Sequence, residues 1–385
     1  MKKTKIFLVF PLVFMIFINI FLISYKNYNV ELKDIMGDRK YMDDVNIIGY
    51  DFGDFYDFKY ININSKKSNV KDISSDEYNY GVNSLIDEFD DFENNKKLAV
   101  KHMNNNLFYL NSCYKNEDVL GMVGISSIYE EGVKLIIDEE NLSNGNIKSY
   151  EIDIDKKDLN KIDNVTSLVS TIYDNKLYIL ISNIIENDNI VDVFKINLEN
   201  ESYENILSRK LDKNEIDSVE NLSFNDNQSM NLIVRNLNNT LGILRYDLNK
   251  NDISKINIDY NIDDMTVMDL EKSKYNDTIE IILQKNLSAD SSQKCNLSNL
   301  IIDIKNGEIL ENKNYQTFVN AYMSKLYTID DKIYVLSSED YLDYGGSFDI
   351  KQYISVFDKN NEKLLYTGEI KTDNFNSDLN IKKAT

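Results

Sequence analysis

From about Leu107 onward, short apolar runs alternate with clusters of Asn, Asp, Lys and Gly. The clearest runs are Leu107–Leu110, Leu177–Ile181, Leu232–Val234, Ile279–Leu283 and Ile333–Leu336. Apolar stretches of about 4–8 residues bounded by turn formers read as strands. Asn175-Lys176, Asn306-Gly307 and Asp331-Lys332 supply the turns between them. The chain is therefore expected to be all-β. One short helix is predicted at Ser84 to Phe92, where Leu85, Ile86 and Phe89 share a face among acids.

A second kind of strand follows several of these runs, and it tends to end in Asn or Asp. It occurs as Ile147–Asp153, Val191–Asn197, Ile243–Asn249, Leu300–Ile304 and Ile354–Asp358. Its key positions, 150, 194, 246, 302 and 357, lie 44, 52, 56 and 55 residues apart, and Phe58 marks an earlier copy. A repeat near 50 residues built from short strands predicts a β-propeller, whose blades cannot bury both faces alone and so stack. Counting a degenerate unit near Asn104 gives about seven blades, with six or eight as alternatives. Irregular β-sandwich-type domains are the competing architecture.

The N-terminus has a different pattern. Ile6 to Ile23 is an apolar run of 18 residues interrupted only by Pro11 and Asn19. As a helix it spans about 27 Å, enough to cross a thin hydrocarbon core. Lys2, Lys3 and Lys5 precede it, which places the N-terminus in the cytoplasm and the bulk of the chain outside. Bulky residues from Phe21 to Lys26 occupy the positions where a signal peptidase needs small ones, so the segment is read as a retained anchor. Phe7, Phe10, Phe14, Phe17 and Phe21 recur at spacings of 3 and 4, forming a ring stripe that, with Asn19, is a candidate helix interface. The expected organisation is an anchor over 1–26, a stalk over 27–44 and an extracytoplasmic domain over 45–385.

Composition alters how the chemistry is read. The chain has 26 Tyr, one Pro, one His and no Trp, a profile of AT-rich codons, so clusters of Asn, Lys, Ile, Phe or Tyr carry reduced weight. Net charge is −21, and such a surface repels nucleic acid and attracts basic partners. The single histidine, His102, sits beside a polar turn and is expected to be solvated, which leaves no triad or zinc site. Cys113 and Cys295 fall in non-adjacent blades of the expected propeller and are read as unpaired thiols. Asp153-Ile154-Asp155, the Asp247–Asp252 stretch and the Asp358–Glu362 stretch resemble calcium loops, but position twelve after Asp247 is Ile258 and no Gly stands at position six. They are read as hairpin turns, and no cofactor or metal is called for. The polar loop Ser337–Ser347 carries Tyr341, Asp343, Tyr344, Gly345 and Gly346, a candidate binding surface.

The anchor, the Leu32–Asp38 stretch outside it and the blade-like units together resemble uncharacterised membrane-anchored, extracytoplasmic β-propeller-like proteins of Gram-positive bacteria. That grouping is architectural and implies no catalytic residues. The expected function is a non-enzymatic interaction or sensory module that binds a protein partner or an envelope component. The alternative is an extracytoplasmic carbohydrate-active enzyme or carbohydrate-binding protein using carboxylates, with or without calcium.

Overall fold

The computed structural model describes residues 30–52, 58–73, 96–103, 110–129, 132–155, 164–185, 188–226, 228–272, 277–285, 296–317, 323–342, 348–372 and 378–384. The chain divides into two compact units, one from residues 1–77 and 317–385, the other from 78–316. The described residues form strands almost throughout, as expected, with one α-helix, α1 (Lys96–Met103), and a 3-10 turn at Arg39–Met42. The anchor with its phenylalanine stripe and Asn19, the helix expected at 84–92, and the region around Asn104 all lie outside the described residues. Among the described residues no helix is long and apolar enough to cross a membrane.

The first unit holds two antiparallel sheets. One runs β25 (Asp378–Lys383), β2 (Val45–Phe52), β3 (Phe58–Ile63), β4 (Ser68–Ile73). The other runs β1 (Val30–Gly37), β24 (Leu364–Thr372), β23 (Phe348–Asp358), β22 (Lys332–Leu342), β21 (Met323–Ile329). Each sheet takes one strand from the far end of the sequence: Val30 pairs with Thr372 and Val45 with Lys383. The segment expected as a stalk therefore supplies a sheet strand instead. Alternation is the physical reason, since Val30 and Leu32 point into the core while Glu31 and Lys33 face out.

The second unit holds four sheets, each an antiparallel meander in chain order. They are β5 (Asn111–Lys115) to β6 (Val119–Tyr129), β7 (Gly132–Asn141) and β8 (Ile147–Asp155); β9 (Asn164–Tyr173) to β10 (Lys176–Ile185), β11 (Asp188–Asn197) and β12 (Ser202–Lys210); β13 (Ile216–Asn225) to β14 (Ser229–Asn236), β15 (Thr240–Asp247) and β16 (Asp252–Asn261); and β17 (Met265–Lys272) to β18 (Thr278–Lys285), β19 (Asn296–Asp303) and β20 (Ile309–Gln316). Successive sheets share apolar layers. Phe194, Ile179 and Ile137 belong to one, Met230, Leu244 and Val193 to the next, and Ile243, Ile281 and Leu300 to a third. Second and third strands are buried on both faces and read as continuous apolar runs, as Leu232–Val234 does. Fourth strands alternate, as Ile309–Gln316 does, because one face meets solvent.

A repeated turn sets the register. Third strands end on, or run straight into, Asn64, Asn141, Asn197, Asp247, Asp303 and Asp358, and each side chain accepts a hydrogen bond from the backbone N–H two residues on. The last five are spaced 56, 50, 56 and 55 residues apart. Four residues after each of these five, the backbone is left-handed, at Gly145, Glu201, Asn251, Gly307 and Glu362. Asp247 and Asp358 are thus hairpin caps. The register also corrects one repeat assignment: Tyr150 lies on a fourth strand, β8, whereas Phe194, Tyr246, Ile302 and Phe357 lie on third strands. That slip produced the short 44-residue interval. Six sheets occur among the described residues.

Candidate functional site

Of the sequence-predicted binding loop Ser337–Ser347, the residues Ser337 to Leu342 belong to strand β22 and not to a loop, because they continue its pairing with β23. β22 and β23 pair from Lys332 with Asp358 to Leu342 with Phe348, and Tyr341 lies opposite Asp349, one pair short of the ladder's end. Asp343, Tyr344, Gly345 and Gly346 lie outside the described residues. The structure describes a different concavity, on the third sheet of the second unit.

It is an open cleft of about 690 Å³. Three segments line it: the connection from β12 to β13, with Asn214 and Glu215; the β14–β15 turn, with Asn236, Leu237, Asn238 and Thr240; and β16, with Lys255, Asn257, Ile258 and Asp259. Val234 faces Gly242, and Gly242 faces Asn257, and the missing side chain of Gly242 lets those of Val234 and Asn236 pack closely over the strand. Beyond it the ladder jumps from Gly242–Asn257 to Thr240–Asn261, a bulge that bends β16. A methyl group on Gly242 would lie 3.2 Å from Asn236 Oδ1.

Asn236 is only 5% exposed. Its Nδ2 donates to Thr240 Oγ1 at 3.0 Å and to the Leu241 carbonyl at 3.1 Å. A carbonyl only accepts, so this pair fixes which end of the amide is nitrogen. The buried Oδ1 has no hydrogen-bond partner. Asn238 Oδ1 accepts from Thr240 Oγ1 at 2.7 Å, closing the turn. Glu215 is anchored by its backbone carbonyl, which accepts from Leu237 N–H at 3.1 Å, and its carboxylate meets Lys255 Nζ at 3.0 Å. Leu237 is 56% exposed. Asp259 has no ion pair among the described residues.

Two other buried polar groups differ from their expected setting. His102, expected in solvent, is fully buried. Leu98 and Ala99 of α1 pack on Leu120 and Met122 of β6, and a residue three or four positions later falls on the same helix face. His102 Nδ1 lies 2.7 Å from Asp138 Oδ2, and Nε2 lies 3.3 Å from Asn111 Oδ1. Ser149 Oγ donates to the other oxygen of Asp138. The serine contacts the aspartate rather than the imidazole, so this is a clamp holding α1 to its sheet and not a nucleophile–base pair. Asp192 in β11 is also fully buried, beside Ser208, Asn205 and Asn183, and burial pushes its carboxyl up to about 6. Tyr114 donates to Glu139 at 2.8 Å, and burial raises both groups. Cys113 lies on β5, where its carbonyl accepts from Asn225 Nδ2 at 3.0 Å. Cys295 lies outside the described residues. No cluster of three or more His, Cys, Asp or Glu suited to a metal occurs among the described residues.

No protein-family model matches the sequence, and no curated protein matches it. Similar solved structures exist. The β-propeller domain of the Trilobed protease from Pyrococcus furiosus is 14% identical, with 68% of this chain and 71% of that chain covered and a TM-score of 0.30. Kuenenia stuttgartiensis hydrazine synthase is 12% identical, covering 68% and 64%, with a TM-score of 0.36. A Bombyx mori GH32 β-fructofuranosidase is 8% identical, covering 70% and 63%, with a TM-score of 0.37. Likeness of this size transfers neither activity nor substrate.

Sequence reasoning missed Asn236 and Asn257 and gave His102 the wrong setting. Asn is so abundant that no single amide stood out. The useful signal was the lone glycine in the apolar third strand Thr240–Asp247, because a glycine inside a strand marks a close approach or a vacancy.

Proposed function

We propose that this chain is a non-enzymatic binding module, held at the outer face of the membrane by residues 1–26, which captures a protein partner or envelope component. The repeated four-stranded sheets are read as propeller blades, and the six described sheets favour six blades over seven. One observation carries the functional reading, the open cleft beside β16. Its lining is rich in amides, which recognise by hydrogen bonding and do not exchange protons near neutral pH. Of its two carboxylates, Glu215 is already tied to Lys255.

The test uses the full chain in detergent micelles. Soluble fragments of envelope polymers and basic and acidic peptides are titrated calorimetrically, and each mixture is then assayed for products by mass spectrometry. Saturable binding without turnover, weakened by Asn257→Ala, is the expected result. Turnover that disappears in Glu215→Gln or Asp259→Asn would replace this reading with a carboxylate enzyme.

A further inference from the structure

The two ends of the first unit differ in chemistry, and each end can be traced through both sheets. Lys325 Nζ donates to Asn380 Oδ1 at 2.9 Å and Lys383 Nζ to Asp330 Oδ1 at 2.7 Å, so β21 and β25 run side by side in the same direction. Lys332 Nζ donates to Asp44 Oδ2 at 2.6 Å, which sets the start of β22 beside the start of β2. That end gathers the turns at residues 64–67, 330–331 and 358–363, in which every residue is polar. The β1–β2 connection, residues 38–44, lies there too; five of its seven residues are charged, and its Met42 is buried in the core.

The other end carries Val30 at the start of β1 and Thr372 at the end of β24. Two ladders finish there, and both finish on apolar pairs: Phe52 opposite Phe58, and Leu342 opposite Phe348. The same AT-rich coding acts on both ends, so it does not account for the contrast. Register fixes how far the second ladder reaches. Leu32 pairs with Ile370, Ile370 with Gln352, and Gln352 with Ser338. From that row β1 continues two residues to Val30, whereas β22 continues four to Leu342. The Leu342–Phe348 pair therefore lies about 7 Å beyond Val30 along the sheet.

The apolar run that ends at Ile23 is separated from Val30 by six residues, 24–29. A relaxed flexible linker of that length averages about 12–15 Å. With the ladder reaching back about 7 Å, its last pair comes to about 5–8 Å from the hydrocarbon, which is the thickness of the headgroup layer. Aromatic and leucine side chains favour that layer. Tethering raises the effective concentration of a contact to the millimolar range, so a few such residues hold where a free domain would not bind. Resting on the anchored reading above, we propose that this end of the first unit sits on the bilayer that holds the anchor, with Phe52, Phe58, Leu342 and Phe348 in the headgroup layer and the polar end turned away. Asp340, Asp349 and Asp378 lie at the same end, so the contact is apolar and suits a zwitterionic surface better than an anionic one.

The chain has no tryptophan, so a single introduced indole reports its own position. Phe348→Trp and Leu342→Trp mark the apolar end, and Asn360→Trp, in an exposed turn, marks the polar one. Each full-length variant is reconstituted in phosphatidylcholine vesicles with and without brominated acyl chains, and co-flotation with the vesicles and circular dichroism are measured on the same samples. The expected result is at least about 2-fold quenching by brominated lipid at position 348 or 342, and little at position 360. Position 342 gives the same reading if the change at 348 disturbs the ladder. Variants that float with the vesicles but quench equally at both ends, or more at 360, would overturn the proposal and leave the anchor in place. A chain that does not float with the vesicles would remove the anchored reading and this proposal with it.

Discussion

The two units of this chain are built from the same strand pattern but closed in different ways. In the second unit each sheet is a local meander, so every pairing joins neighbours in sequence. In the first unit both sheets depend on strands brought from the opposite end: β1 against β24 and β25 against β2. The partners Val30 and Thr372 are 372 − 30 = 342 residues apart. Loop closure over such a distance costs entropy that local hairpins avoid, and it is recovered only when the long-range pairs form. The first unit is accordingly the one whose stability rests on a few identifiable side chains.

Those side chains are the places to break it. Leu32 in β1 and Ile381 in β25 are both buried in the first unit's core. Truncating either to alanine is expected to cost about 2–4 kcal/mol. Hydrogen exchange followed by mass spectrometry should show lost protection in β2, β24 and β25, while β14 and β18 stay protected. Equal loss in both sets of strands would mean that the distinction between units has no energetic content.

The second unit has a weak point of its own that is electrostatic. Asp192 is buried, and its carboxyl is pushed up to about 6 by burial, against about 3.9 in an unfolded chain. The sign follows from proton binding. The folded state holds this proton more tightly, so the group is neutral and tolerated at low pH and becomes a penalty as pH rises through about 6. Asp192→Asn keeps the shape and removes the charge. It is expected to raise stability by about 2–3 kcal/mol at pH 8, with little change at pH 4. Urea midpoints at both pH values check this, and a mutant no more stable at pH 8 would contradict it.

The first unit's electrostatic contact works in the opposite direction. Asp34 accepts from Arg39 Nε at 2.6 Å and from Tyr366 Oη at 2.7 Å, tying β1 and the following turn to β24. The Arg39 hydrogen bond leads in holding its carboxyl below the usual range. That stabilisation is present above the unfolded pKa and is lost as pH falls through the folded one. Asp34→Ala is expected to cost about 1–2 kcal/mol at pH 7, discounted for its exposure, and to loosen β1 first. Retained β1 protection in hydrogen exchange would show that the tie is idle.

The contrast also explains what could be read from sequence. Middle strands such as Leu232–Val234 were legible because burial on both faces forces a continuous apolar run. The capped turns were legible because Asp247 and Asp358 recur in phase. β1 was not, since the five strand residues after Leu32 are all exposed, and nothing local announces a partner as distant as Thr372. His102 was misplaced because its acid, Asp138, is 36 residues away on β7. The cleft was hidden for the same reason: Glu215, Asn236 and Asn257 converge only after β13 to β16 pair.

The smallest expected effect separates shared turn chemistry from unit-specific closure. Glu201 in the second unit and Glu362 in the first occupy the same left-handed position, at φ 51° and 60°, where the equivalent residues 145 and 307 are glycines. A side chain at such a φ costs about 1–2 kcal/mol that glycine avoids, while glycine gives back about 0.5–1 kcal/mol in backbone entropy. The net expected gain for Glu201→Gly or Glu362→Gly is about 0.5–1 kcal/mol each. The turn closes locally in both units, so the two gains should agree within about 0.5 kcal/mol, unlike the closure mutations above. Matched chemical melts of the two single variants give the comparison. A gain at Glu201 with none at Glu362 would mean that the turn beside β24 is governed by the long-range pairing of β1 rather than by its own backbone.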